Sequence, residues 1–177
     1  VFLSLHIYIL YSAPSPLRKL AYLTFVRPHL EYASPIWSPH QQYLIEALEI
    51  IQNRASPFIA HNYSNLSSIT QIKSKLSLPS LSTRHNIALL SLFHKVIYSD
   101  DLSLPCLNHQ VYTSRRLHNT LSYARLYGAT QSFNFSPLSR AIRLWNSLPD
   151  NIASLRDHDA FCLQLNKHFS THLAQYP

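Results

Sequence analysis

Proline, often preceded by serine, divides this sequence into short segments. A proline in the interior of a helix removes a hydrogen bond and clashes with the preceding turn, whereas a proline in the first helical turn is favoured. We therefore predict helix beginnings at Ser15-Pro16, Ser38-Pro39 and Ser136-Pro137, with serine as the N-cap residue. For the same reason we expect Pro28 to kink or end the first helix and Ser56-Pro57 to end the second.

Apolar residues recur at helical spacing between these prolines. The strongest pattern, over 81–98, predicts a core stripe of Ile87, Leu90, Phe93 and Ile97. Weaker patterns predict helices over 15–27, through Leu44, Leu48, Ile51 and Ala55, over 68–76, over 136–145, and through Phe161, Leu165 and Phe169. Trp37 and Trp145 have apolar neighbours and are predicted core residues. The predicted fold class is mainly α, a helical bundle.

One stretch departs from helical spacing. Between 99 and 131 the periodicity is lost, except for a weak alternation of apolar and polar residues around Gly128. Alternation is typical of a β-strand, so we predict a small β-hairpin around 123–135. The sequence shows no internal repeat and no linker long enough to separate domains, and 177 residues suit one ordinary domain. We therefore expect residues 1–177 to form a single, mainly helical domain.

The composition restricts the kinds of protein that the chain can be. Gly128 is the single glycine, which excludes glycine-rich phosphate loops and dinucleotide fingerprints, and we expect no cofactor and no small-molecule substrate. Cys106 and Cys162 are too few for a disulfide framework, so we expect reduced thiols and an intracellular location, in the nucleus or cytoplasm. The apolar opening, 1–11, has about half the length that spans a bilayer, so we expect no membrane partner. Because the sequence opens with Val1 and contains no methionine, we expect a fragment of a longer protein.

Positive charge is concentrated in the middle of the chain. The formal net charge is +7 at pH 7, and residues 60–145 alone carry nine lysines and arginines against two aspartates. Aromatic residues, among them Tyr112, Tyr123 and Tyr127, lie in the same stretch. Cations that contact phosphates and rings that stack on bases are the elements of a nucleic-acid-binding surface. The alternative is that these side chains only keep the rim of a helical domain soluble.

Two motifs look catalytic or metal-binding in isolation. Tyr98-Ser99-Asp100-Asp101 copies the Y-x-D-D of polymerase palms, but two-metal chemistry needs a third carboxylate on a neighbouring strand. The upstream carboxylates all lie at helical positions: Glu31, Glu46 and Glu49. We therefore interpret the motif as an acidic turn that closes a helix; its use by a self-contained nucleotidyl transferase is the alternative. Cys106-x-x-His109 is one pair where a structural zinc site usually has two, so we predict no metal.

Four stretches resemble, in the same order, patterns of one family. Residues 20–39 read LAYLTFVRPHLEYASPIWSP and resemble AY-x-T-x-VRP-x-LEYAS-x-VW-x-P. Residues 45–55, IEALEIIQNRA, resemble IE-x-x-E-x-IQ-R-R-A, and residues 76–85, LSLPSLSTRH, resemble L-x-L-x-SL-x-x-RR. Residues 136–149, SPLSRAIRLWNSLP, resemble F-P-R-T-I-x-x-WN-x-LP. These patterns are those of jockey-like non-LTR retrotransposon reverse transcriptases after the palm, and the chain is most similar to copies labelled tick transposons.

The resemblance implies the thumb and beyond of an RNA-directed DNA polymerase, without endonuclease, fingers or palm and so without catalytic residues. We expect this segment to help bind RNA or DNA, the template and primer, through backbone phosphates. The predicted phosphate partners are Lys73, Lys75, Arg84, Arg115, Arg116, Arg125, Arg140 and Arg143, and Tyr112 and Tyr123 are predicted to stack on unpaired bases. The alternatives are a structural or interaction domain that docks on the polymerase palm of the parent chain, and a degenerate remnant without function. Asn53 and His85 stand where the family pairs arginines, which is consistent with a decayed copy.

Overall fold

The computed structural model describes residues 11–64, 67–98, 107 and 120–174. Within these residues the chain is mainly helical, which confirms the predicted fold class. In chain order the helices are α1 (Ser15–Ala21), a π-helical turn (Tyr22–Val26), α2 (Arg27–Glu31), α3 (Ser34–Trp37), α4 (Gln42–Ala60), α5 (Ile69–Lys75), α6 (Leu81–Tyr98), α7 (Gln131–Asn134), α8 (Pro137–Asn146), α9 (Asp150–Ala153) and α10 (His158–Ala174). None of these described helices is long and apolar enough to cross a membrane.

Contacts between Cα atoms divide the chain into two compact units. The first unit comprises Val1–Tyr32 and Pro39–Arg84, and the second comprises Ala33–Ser38 and His85–Pro177. The helix α6 therefore contributes its first turn to the first unit and its remaining turns to the second. Each unit has its own cluster of buried apolar side chains.

In the first unit, a π-helical turn carries the chain past Pro28. The backbone widens over Tyr22–Val26, and the N–H of Arg27 donates to the carbonyl oxygen of Tyr22, five residues back. Pro28 then falls in the first turn of α2, a position where proline is favoured. The interruption predicted at Pro28 therefore lies just before it, and helical structure continues to Glu31.

The helix α4 differs from its predicted form at both ends and on its buried face. It begins at Gln42 rather than after Ser38, and it continues past Pro57 to Ala60. Its buried residues are Gln52, Ser56 and Ile59, whereas Leu44 and Ile51 of the predicted stripe are exposed. The other two residues of the stripe, Leu48 and Ala55, are half-buried, and Ala55 packs against the core of this unit, so the prediction is wrong for Leu44 and Ile51 only.

Hydrogen bonds explain why α4 buries polar side chains. The Gln52 amide accepts from the hydroxyl of Tyr22 at 3.0 Å and donates to the carbonyl oxygen of Pro79 at 2.9 Å. The Ser56 hydroxyl donates to the carbonyl oxygen of Gln52 at 2.8 Å. Polar groups with such partners can be buried without a large desolvation penalty. Burial also raises the pKa of Tyr22 to about 12.

The core of the second unit contains residues of α6, α8 and α10. Trp145 and Phe161 are fully buried, and Leu90 and Phe93 of the predicted stripe are buried with them. The ring of Trp145 lies 5.6 Å from that of Phe93 and 5.7 Å from that of Phe161, between centroids. Aromatic pairs of this kind stabilise a core beyond the area that they bury. Trp145 is thus confirmed as a core residue, whereas the same prediction is wrong for Trp37, which is 41% exposed.

The predicted β-hairpin around 123–135 is wrong. Residues 131–134 form α7. Among the described residues there is no β-strand, and Tyr123 has only an isolated β-bridge. The backbone from 120 to 130 is irregular. Two asparagine side chains bind its backbone at Tyr123 and Gly128.

Those asparagines bind the backbone polar groups that a strand partner would bind. Asn146 accepts from the N–H of Tyr123 at 2.9 Å and donates to its carbonyl oxygen at 2.8 Å. Asn134 accepts from the N–H of Gly128 at 2.9 Å and donates to its carbonyl oxygen at 3.0 Å. Nearby, the indole N–H of Trp145 donates to the carbonyl oxygen of Leu121 at 3.0 Å. Side chains therefore satisfy backbone polar groups of Tyr123 and Gly128 in this irregular segment.

Candidate nucleic-acid interface

The Arg84 side chain is held by a carboxylate within the first unit. Its Nη2 lies 2.8 Å from Oε2 of Glu31, and its Nε contacts Oε1 of the same carboxylate. The Nε of Arg27 lies 2.9 Å from that Oε1 as well. Burial disfavours the charged carboxylate, but the hydrogen bonds and charges of Arg84 and Arg27 outweigh it and lower the pKa of Glu31. Arg84 therefore neutralises a half-buried carboxylate, and binding a phosphate would break that pair.

Lys73 and Lys75 lie at the end of α5 in different surroundings. The Nζ of Lys73 lies 3.6 Å from Oε2 of Glu49, and the two side chains are 18% and 16% exposed. The other carboxylate oxygen of Glu49 accepts from the backbone N–H of Ser82 at 3.3 Å. Lys73 therefore compensates a largely buried charge on α4. Lys75 is exposed and makes no ion pair in the part of the chain that the structure describes.

Arg140 is also bound within the protein, in the second unit. Its Nη1 donates to the carbonyl oxygen of Ser38 at 2.6 Å, and its Nη2 lies 3.5 Å from Oδ1 of Asn86. Burial, with a smaller contribution from the charge of Arg143, lowers the pKa of Arg140. A guanidinium that satisfies a backbone carbonyl would leave that group unpaired if it turned towards a phosphate. The geometry therefore gives Arg140 a structural role.

The prediction that Tyr123 stacks on bases is wrong. Its side chain is 5% exposed, and its ring packs edge-on against Phe93 with centroids 5.8 Å apart. Burial also raises the pKa of Tyr123. Tyr123 is buried because its N–H and carbonyl oxygen are both hydrogen-bonded to the Asn146 amide, which fixes the backbone so that the ring enters the core. The remaining predicted residues Tyr112, Arg115 and Arg116 lie outside the described residues, as do Asp100, Asp101, Cys106 and His109.

Arg125 and Arg143 are exposed, and both line the same cavity. We name this cavity the basic pocket: Arg125, Leu126, Tyr127, Asn134, Ser139 and Arg143 surround about 230 Å³. Neither guanidinium makes an ion pair with any residue that the structure describes. The guanidinium of Arg143 lies over the ring of Phe135, 5.1 Å from its centroid, and this contact orients it. The basic pocket thus holds two cations that no described carboxylate neutralises.

The basic pocket combines groups that suit single-stranded nucleic acid. A guanidinium can donate two parallel hydrogen bonds to a phosphate, and an exposed ring can stack on a base of any identity. Tyr127 supplies such a ring, because it is 79% exposed. The Asn134 amide already binds Gly128, and the Ser139 hydroxyl donates to the carbonyl oxygen of Phe133 at 3.2 Å. Those two side chains therefore give the pocket its shape rather than its charge.

The sequence predicts Tyr112 and Tyr123 as stacking residues and indicates Tyr127 only as one of the aromatic residues in the basic stretch. Tyr123 and Tyr127 both lie two positions from Arg125, so an alternating pattern treats them as equivalent. The hydrogen bonds of Asn146 to Tyr123 distinguish them, and these join residues far apart in the sequence. Gly128, directly after Tyr127, was the one local signal of a close backbone approach that could have drawn attention to the pocket.

Comparisons with known proteins give no information on the basic pocket, so it is interpreted from its geometry. The chain matches no family model, no curated protein and no solved structure. Over the described ranges, no three His, Cys, Asp or Glu side chains are arranged to hold a metal ion. The two guanidinium groups of the pocket and the exposed ring of Tyr127 suit the binding of an anion next to an aromatic ring.

Proposed function

We propose that this chain is a non-catalytic C-terminal segment of a retrotransposon RNA-directed DNA polymerase, and that it binds template and primer through backbone phosphates. The observation that carries the proposal is the pairing of Arg125 with Arg143 around the basic pocket, next to the exposed ring of Tyr127. The resemblance of four stretches to reverse transcriptases supplies the class of partner. In this proposal the segment acts in the nucleus or cytoplasm and performs no turnover of its own.

The residues assigned to phosphate binding are fewer than the sequence predicts. Arg125, Arg143 and Lys75 are retained because they are exposed. Arg115 and Arg116 stay predictions from the sequence. The proposal leaves out the cations that are bound to protein groups, namely Lys73, Arg84 and Arg140.

The salt dependence of RNA binding tests this proposal. A fluorescent RNA hairpin with a single-stranded overhang is titrated with the chain at several salt concentrations, and its anisotropy is measured. If each guanidinium contacts one phosphate, R125A/R143A flattens the slope of log affinity against log salt by about 1.4 to 1.8. The matched control is R54A/R156A, which removes the same charge from exposed positions outside the pocket. Equal slopes for the two double variants would reject the pocket as the binding site.

Exposed apolar residues in the first unit favour a second candidate function, docking on the palm of the parent polymerase. Leu17 and Leu20 on α1 and Phe25 in the π-helical turn are 48%, 55% and 74% exposed. An interface with another protein would bury these exposed apolar side chains. In this case L20S/F25S weakens binding to a separately expressed palm and leaves RNA affinity unchanged, whereas R125A/R143A has the reverse effects. A folded chain that binds neither partner would instead support the degenerate-remnant reading.

A further inference from the structure

Four side chains with reactive or titratable groups form a hydrogen-bonded cluster between α6 and α10 in the second unit. Ser91 and His94 belong to α6, and His158 and Cys162 lie one turn apart on α10. The Nδ1 atoms of the two histidines are 3.2 Å apart. The Nε2 of His158 lies 3.4 Å from Sγ of Cys162 and 3.3 Å from Oγ of Ser91. None of these residues belongs to the basic pocket.

The hydrogen bonds of the cluster fix where the protons lie. The Nε2 of His94 is 2.8 Å from the carbonyl oxygen of Leu155, which can only accept, so this nitrogen carries a hydrogen. Burial, and the nearby His158, lower the pKa of His94, so its ring is neutral and its Nδ1 is an acceptor. The Nδ1 of His158 must therefore donate to it. In its neutral form, the His158 ring then presents its Nε2 lone pair to Cys162 and Ser91.

This arrangement supplies a base for the thiol and a group that orients the base. When His158 takes the proton of Cys162, its Nδ1–H remains donated to His94, and its new Nε2–H faces the thiolate. His94 is 1% exposed and is packed against the ring of Phe161 at 4.2 Å between centroids, so it holds the orientation. Cys162 is only partly buried. A nucleophile next to a base that a third group orients is the general geometry of an activated thiol.

We propose that Cys162 is a covalent modification site that undergoes thiol–disulfide exchange with small disulfides, with His158 as its base and His94 as a positioning residue. The Cys162 proton moves to Nε2 of His158, and the thiolate attacks one sulfur of the disulfide. A new S–S bond forms to Cys162 as the original S–S bond breaks. The departing thiolate takes the proton from His158, so the small disulfide is reduced to one thiol and one protein-bound half.

The Ser91 hydroxyl competes with the thiol in this cluster. Its Oγ lies 3.3 Å from the His158 Nε2 and 3.4 Å from the Cys162 sulfur. We assign the Ser91 hydroxyl hydrogen to the His158 Nε2, because an imidazole nitrogen is a better acceptor than sulfur, so Ser91 occupies part of the lone pair that Cys162 needs. Removal of the Ser91 hydroxyl is therefore expected to raise the rate of thiol–disulfide exchange, whereas removal of the His158 imidazole is expected to lower it.

The rate of mixed-disulfide formation tests the proposal. The C106S chain carries Cys162 as its single thiol, and oxidised glutathione is the probe, with the adduct quantified by intact-mass spectrometry. At neutral pH, His158→Gln in this background is expected to slow the reaction of the folded chain by about tenfold. In denaturant, the same variant is expected to react as fast as the C106S chain. This comparison shows that the slower reaction of the folded variant comes from loss of the His158 base and not from a change in the thiol itself. His168→Gln, also on α10, is the matched control and keeps the rate of the C106S chain.

The result that overturns the proposal is a folded His158→Gln chain that reacts within about twofold of the C106S chain. Helical circular dichroism establishes whether the variant is folded. If it is not, Ser91→Ala decides: a rate increase supports the proposal, because the thiol becomes the sole donor to His158. An unchanged or lower rate for Ser91→Ala overturns it. His94→Leu slows the reaction and His94→Gln recovers part of the rate if His94 acts by accepting from His158, whereas equal rates reject its positioning role.

Discussion

Asn146 binds both backbone polar groups of Tyr123, accepting from the N–H at 2.9 Å and donating to the carbonyl oxygen at 2.8 Å. Asn146 is 3% exposed, so both hydrogen bonds are sheltered from water. The preceding residue, Trp145, donates to the carbonyl oxygen of Leu121. These two side chains hold the segment that leads to Arg125. The basic pocket therefore depends on an asparagine that does not line it.

Replacing Asn146 should destabilise the second unit and weaken RNA binding together. N146A removes the two hydrogen bonds that the Asn146 amide makes with the N–H and carbonyl oxygen of Tyr123, and we expect the free energy of unfolding to fall by about 2 to 4 kcal/mol. Urea denaturation followed by circular dichroism measures this loss. The control is N151A on α9, where the asparagine is exposed and a change within about 0.5 kcal/mol is expected. Equal losses in the two variants would contradict the importance of the buried pair.

The sequence predicts most of the helices, because their signals are local. A proline near a helix start and an apolar stripe over 81–98 depend on residues a few positions apart, and Leu90 and Phe93 are buried as expected. The face of α4 was not predictable in this way. It is chosen by the hydrogen bonds of Gln52 to Tyr22 and Pro79, which join residues 27 or more positions apart. Periodicity in the sequence contains no information on such partners.

The sequence predicts that the candidate site is basic, but it does not predict which basic residues form it. The basic character of residues 60–145 is visible in the sequence, yet the sequence does not show which cations have carboxylate or carbonyl partners. Arg84 pairs with Glu31 across 53 positions, and Arg140 donates to Ser38 across 102 positions. A long-range partner converts an apparent phosphate ligand into a structural residue, and only the folded chain identifies it. Arg125 and Arg143 differ from them in structure, not in local sequence.

The pair of Glu31 with Arg84 and Arg27 gives a pH-dependent contribution to stability. Because the pKa of Glu31 is lowered in the folded chain from an ordinary value of 4.5, its contribution is present above pH 4.5 and is lost as pH falls through the folded pKa. We expect E31Q to lower the free energy of unfolding by about 1 to 3 kcal/mol near pH 7. The difference from the unsubstituted chain should shrink when urea denaturation is repeated at pH values below 4.5. E46Q makes the same chemical change at an exposed glutamate and is the matched control, and a loss near pH 7 equal to that of E31Q would contradict the role of the pair.

Gly128 is required by the close approach of the Phe133 ring. A Cβ atom at position 128 would lie 2.4 Å from Cδ1 of Phe133, so the ring or the backbone must move. We expect G128A to lower the free energy of unfolding by about 1 to 2 kcal/mol. In a double-mutant cycle, G128A should have a smaller effect when Phe133 is already alanine, because the nearest obstructing atoms are absent. An effect of equal size in both backgrounds would place the strain elsewhere.

Tyr127, and not Tyr123, is expected to contribute base stacking to RNA binding. Its ring is 79% exposed beside Arg125 in the basic pocket, and loss of one base–aromatic stack weakens binding by about 1 to 3 kcal/mol. Y127A should therefore reduce the affinity for the overhang RNA by about fivefold or more while its unfolding curve stays unchanged. Y127F keeps the ring and should keep the affinity. Y43A removes an exposed tyrosine of the first unit, and an equal loss there would show that the effect does not arise in the basic pocket.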